Sequence, residues 1–303
     1  MDKLFRNKSH LKNYLHLHLL VFIAGFTAIL GELITITAVP LVWFRMVIAS
    51  ILMFIYIKIA KVNIKIQPKS VLKLSIAGII IALHWITFFG AIDEANISIA
   101  LAMFSTGAFF ASFIEPIVYK RKIIWYEILF GLLVIVGVFI ITQSEIKYLK
   151  GIILGVTSAF LSSLFAVLNG SFLKQHTATV ISYYEFLSGV FFISLYLGFF
   201  TNDFNQDFFN LGQSDLVYLL ILGSVCTAYA FIASVYVMKL ISPYTVVLTY
   251  NLEPVYGIIM AILLFPEKEK MSTSFYYGTI IIFITVILNG ILKNSRKLKR
   301  KYS

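Results

Sequence analysis

Charge is scarce in this sequence. Only 13% of its 303 residues are Asp, Glu, Lys or Arg, about half the share of an ordinary soluble domain. A chain so poor in charge, 60% hydrophobic and with a mean hydropathy of +0.91, reads as a polytopic membrane protein. Cysteine is nearly absent too. Cys226 is alone in an apolar stretch, which excludes a disulfide framework and a thiolate metal cluster and leaves a small packing residue. There is no P-loop, no histidine pair at metal-ligand spacing and no nucleophile elbow. ATP-driven pumping and familiar hydrolase chemistry therefore lack a motif, and neither an enzyme activity nor a cofactor or metal is expected. No span carries the arginine series of a voltage sensor. The net charge of +11 would suit nucleic acid only as a basic face on a soluble domain. Here the charges fall in short loops and tails, so no nucleic-acid partner is expected.

What is present is long apolar runs. Ten are about 20 residues long: 14–36, 39–59, 71–92, 96–118, 124–143, 150–173, 180–201, 215–239, 243–265 and 272–292. The first follows basic residues, as a signal peptide would. It is longer than the roughly 7–15 residues of a signal core and no small-x-small cleavage site follows, so it is a first span. Connections are short. With the N-terminus inside, 20 Lys and Arg residues fall on the cytoplasmic side and 4 on the external side, the last being Arg45 within the second span. That bias predicts a multi-pass protein of the cell (inner) membrane with both termini cytoplasmic, and residues 293–303 as a basic cytoplasmic tail.

Ten spans invite a test for repetition. An offset of 147 residues superposes the end of the fourth span and the fifth on the end of the ninth and the tenth, and brings Thr106-Gly107 onto Glu253-Pro254. Five spans per half is an odd number, so the second half is inverted, and a site is expected at the interface of the halves near mid-bilayer. The expected fold is an all-α polytopic membrane protein of ten transmembrane helices in two inverted five-helix repeats, 14–143 and 150–292. In this register Glu115-Pro116, which looks like Glu253-Pro254, is not its partner and reads as structural.

The stretch on which these patterns converge is Tyr250-Asn251-Leu252-Glu253-Pro254, inside the ninth apolar run. A carboxylate at the centre of a span costs about 2.5–3.5 kcal/mol on insertion scales, and the adjacent proline frees a backbone carbonyl one turn earlier. Such groups are tolerated where they line a watery cavity or are buried in protein, which makes the stretch a candidate site. Glu253 either binds a substrate ammonium or alternates between protonated and ionised forms, and both remain open. His84, Trp85 and Thr106 fall at similar depth and join Glu253 and Asn251 as candidate substrate contacts, with Tyr250 and Tyr229 as polar-tipped walls. Glu32 and Arg45 share a depth near the external side and are expected to form a charge pair or gate. Glu185 mirrors Arg45 in the second half and joins that gating group. In the sixth span Gly151, Gly155, Ala159 and Ser163 recur every four residues, a seam for close helix approach.

On these features the chain resembles the EamA family of the drug/metabolite transporter superfamily. Leu252-Glu253-Pro254-Val255 matches the signature of that family's second repeat, and Glu267 matches the acidic residue that follows it. The first repeat departs from the pattern, with Ser105-Thr106-Gly107 where a proline is often found. The resemblance implies a secondary transporter, exporting amino acids or other small metabolites by alternating access, with a small-molecule substrate and the lipid bilayer as its partners. Proton coupling is left open. The alternative class is a receptor or assembly partner that passes no solute.

Overall fold

The computed structural model describes residues 2–120, 122, 124–238 and 249–302. Among them are helices and turns and no strand, as a chain that must satisfy its own backbone in lipid requires. The helices are α1 (Asp2–Leu33), α2 (Ala38–Ile59), α3 (Pro68–Glu94), α4 (Ile97–Phe104), α5 (Gly107–Tyr119), α6 (Trp125–Ser144), α7 (Leu149–Phe172), α8 (Ala178–Phe200), α9 (Gln213–Gly223), α10 (Ala230–Met238), α11 (Glu253–Leu264) and α12 (Thr273–Tyr302). Among the described residues nine segments are long and apolar enough to cross a membrane, and the shorter apolar α11 makes a tenth. Large apolar side chains such as Leu132, Ile135 and Phe139 of α6 and Phe191 of α8 stand exposed, the arrangement expected of a lipid-facing perimeter. Residues 239–248, where the ninth run was expected to begin, lie outside the described residues.

Among the described residues two spans are broken by turns, and the breaks follow the repeat. In the fourth, Ser105 and Thr106 form a turn between α4 and α5; in the ninth, Asn251 and Leu252 form a turn before α11. The restarts at Gly107 and Glu253 agree with the expected offset to within one residue. Pro254 therefore occupies the first turn of a helix, where its missing N–H costs nothing, and does not kink a continuous helix as the sequence suggested. The eighth span is irregular in another way, because Ser224–Tyr229 forms a π-helical segment between α9 and α10.

Glycines set the closest approaches. A Cβ on Gly25 of α1 would lie 2.9 Å from the Glu253 carbonyl oxygen and 3.0 Å from the Gly257 nitrogen, so only glycine lets α1 and α11 meet this closely. The fifth spans of the two halves, α6 and α12, meet through Gly137 and Gly278 in the same way. The seam on α7 behaves as its spacing predicts: Gly151 faces Ala95, Gly155 faces Met103, and the Ser163 hydroxyl donates to the Gly107 carbonyl at 2.7 Å. At the centre α3 packs on α7 and α8, which fixes His84 and Trp85 in the interior.

Candidate functional site: a cavity closed at one end

Between the halves lies a cavity of about 360 Å³, lined by residues of α1, α2, α3, α4, α7, α8, the π segment, α10 and the α11 start. Its walls are mostly apolar. Among the few polar groups on them are Arg45, His84, Asn169, Tyr250 and Glu253, the composition of a small-molecule site. A second cavity, of about 440 Å³, lies on the other side of Tyr250 and Glu253, against α5 and α12. Phe104, Ser162, Tyr250 and Glu253 line both. Glu253 thus stands on the partition between two chambers.

Each polar group is placed by identifiable structure. Glu253 is the first residue of α11, where unpaired N–H groups favour a negative charge, and its backbone is held by the Gly25 contact. Arg45 is 4% exposed; its Nε donates to Thr227 Oγ1 at 2.7 Å and its guanidinium lies 3.9 Å from the centre of the Trp85 ring. Thr227 belongs to the π segment and also donates to the Leu222 carbonyl, five residues back, so the irregular turn is what delivers its hydroxyl to Arg45. His84 Nδ1 is 2.8 Å from the Ser158 hydroxyl and 3.1 Å from its carbonyl, pinned to the α7 seam. The Tyr250 hydroxyl bonds Ser234 at 2.7 Å.

The cavity extends from Arg45 and Trp85 toward the turn between α7 and α8, where Leu173 and Ala178 line it. That is the end of the bundle at which α1 begins and α12 ends. The opposite end is tied shut, largely by carboxylates that cap neighbouring helices or loops. Glu269 accepts from the Ile97 and Ser98 amides at 3.0 and 2.9 Å, Glu145 from the Ser272 amide at 2.9 Å, and Asp215 from the Thr35 amide and hydroxyl at 2.8 and 2.6 Å. Asn96 adds a bond to the Lys268 carbonyl at 3.2 Å, and the ion pairs Glu32–Lys268 and Glu94–Lys150 complete the closure. Burial raises the Glu269 carboxyl above the usual value against the pull of its amide donors, and the hydrogen bond to Glu32 raises the Lys268 ammonium.

The expected residues divide. Glu253, His84, Trp85 and Tyr250 come together on the first cavity; Asn251 lines only the second. Thr106 lines neither, because its hydroxyl is spent on the Met103 carbonyl at 2.7 Å across the helix break. Tyr229 faces outward, 42% exposed and bonded to His16 at 2.9 Å, since the π segment turns it away from the interior. The expected Glu32–Arg45 pair does not form: Glu32 takes Lys268, and Arg45 turns into the cavity. Glu185 is fully buried on α8, 3.4 Å from the Asn169 amide and away from the closed end. Asn169, Phe88 and Phe231, which line the first cavity, and Thr227, which holds Arg45, lie within apolar runs and carry no sequence signal of these roles.

A family model, the EamA-like transporter family, matches residues 11–143 and 149–291, nearly the whole chain in two copies. Curated proteins yield no match. One solved structure, titled only "Crystal structure of protein", is similar over 93% of this chain and 98% of its own, with a TM-score of 0.64 at 14% identity, a likeness of fold alone.

Proposed function

From the premise that the chain belongs to the EamA-like transporter family, we propose that it is a secondary transporter that exports amino acids or other small metabolites by alternating access, with Glu253 at the centre of its path. The observation that carries this reading is a mid-span carboxylate in a cavity that reaches toward one end of the bundle and is tied shut at the other. With the basic loops and tail placed in the cytoplasm of the cell membrane, the cavity faces inward and the carboxylate ties form the external gate. Arg45 and Glu185 then belong to the interior, and Glu32 to that gate through Lys268.

Glu253 serves either by holding a cationic group of the substrate or by carrying a proton. Vesicles containing the purified protein and loaded with a labelled amino-acid mixture test both. Wild-type protein gives efflux above that of protein-free vesicles, and Glu253→Gln reduces it to that background while thermal unfolding stays unchanged. If an imposed proton gradient drives the wild-type flux, the carboxylate is the carrier. Undiminished efflux in Glu253→Gln removes the reading.

A further inference from the structure

Among the described residues Arg45 is the only buried arginine or lysine, and its hydrogen-bonding capacity is only partly used. Nε is satisfied by Thr227 and one face of the guanidinium is covered by Trp85, but Nη1 is buried with no partner. Glu253 lines the same cavity and lies within electrostatic range, yet the two form no ion pair within 4.0 Å. An unmade bond on a desolvated cation is costly, and the cost is recovered if a ligand completes it. The rest of the wall is mostly apolar, with Phe88, Phe104, Phe165 and Phe231 facing the space and His84, Asn169 and Tyr250 as uncharged polar groups among them.

We propose that Arg45 anchors the carboxylate of the transported molecule, and that this molecule is a small zwitterion with an apolar body: carboxylate on Arg45, ammonium on Glu253, and side chain against the phenylalanines. The assignment rests on the transport reading of the same cavity. Charge balance selects the class. One guanidinium and one carboxylate are neutralised in turn by the two ends of a zwitterion, whereas a phosphate dianion or a second charged group on the ligand leaves a buried charge without a partner. The guanidinium is held by a hydroxyl on one edge and an indole on its face, so it is oriented before the ligand arrives.

The test is binding of labelled L-phenylalanine to the purified full-length protein in detergent, with L-leucine, L-phenylalaninamide and 3-phenylpropionate as competitors. Saturable binding is expected, displaced by L-leucine; the amide, lacking the carboxylate, and the propionate, lacking the ammonium, compete at least about 30-fold more weakly. Arg45→Gln loses affinity by a similar factor and Arg45→Lys keeps part of it. Because the competitor series uses unaltered protein, it decides the matter even where the variants do not fold. No saturable binding, or an amide that competes as well as the acid, overturns the proposal. Binding without flux leaves it standing and removes the transport reading. Flux of an amine without a carboxylate, unaffected in Arg45→Gln, does the reverse.

Discussion

At the scale of single residues, polar groups of the cavity are held by specific partners, His84 by Ser158 and Arg45 by Thr227. A lone carboxylate in an apolar run has few tolerable environments, so Glu253 pointed to a cavity from composition alone, and His84 and Trp85 followed from depth. Depth says nothing about the direction a helix faces. Glu32 and Arg45 share a depth but face different neighbours, and the partner of Glu32 comes from a loop more than two hundred residues away. Thr106 shows the other failure, since a hydroxyl beside a helix break is claimed by the nearest carbonyl before any substrate arrives. The Ser158 hydroxyl holds His84 in place, so Ser158→Ala removes a buried bond and lowers stability by about 1 kcal/mol, read from thermal unfolding in detergent. The same variant lets the imidazole turn, which is expected to weaken transport without abolishing it.

At the scale of elements, apolar run lengths were enough to locate the spans that the described residues cover, and the internal offset relates the two helix breaks to within one residue. The interruptions were harder. Pro254 marks an irregularity within an apolar run but not a helix restart at Glu253, and Ser105-Thr106 carries a mark only through the repeat offset. The π segment at Ser224–Tyr229 has no comparable sequence mark, and it sends Thr227 inward and Tyr229 outward. Contacts between elements depend on glycine at many positions, Gly25, Gly78, Gly137 and Gly278 among them. Gly25→Leu drives side-chain atoms into the backbone of α11 at Glu253 and Gly257, neither of which can yield, and is expected to cost about 1–3 kcal/mol. Gly198→Ala meets nothing within 4 Å and exchanges a poor helix former for a good one, so it is neutral or stabilising by up to about 1 kcal/mol. Comparison of the two unfolding temperatures separates close approach from the general cost of altering a glycine.

At the scale of the whole molecule the two ends of the bundle differ in kind: a cavity reaches toward one, and capping carboxylates and ion pairs tie the other. Glu269→Ala strips the Ile97 and Ser98 amides of their acceptors, and hydrogen exchange at those two amides is expected to rise about tenfold. The closure also carries a pH sign. Glu269 and Lys268 both bind protons more tightly in the closed arrangement than groups at their ordinary values, so closing takes up protons. Closure gains stability as the pH falls and loses it as the pH rises through the raised Glu269 value, and again through the raised Lys268 value. Exchange at the same amides, corrected for intrinsic rate, should therefore increase with pH across the first window. The central claim is that the cavity opens to each side in turn, and the chain holds its own probe in Cys226, its single thiol, which lines the cavity. The most direct measurement is the rate of Cys226 modification by a membrane-impermeant thiol reagent in inside-out and right-side-out vesicles. Alternating access predicts modification from both sides, with a transported substrate changing the two rates in opposite directions. Modification from only one side under every condition contradicts it.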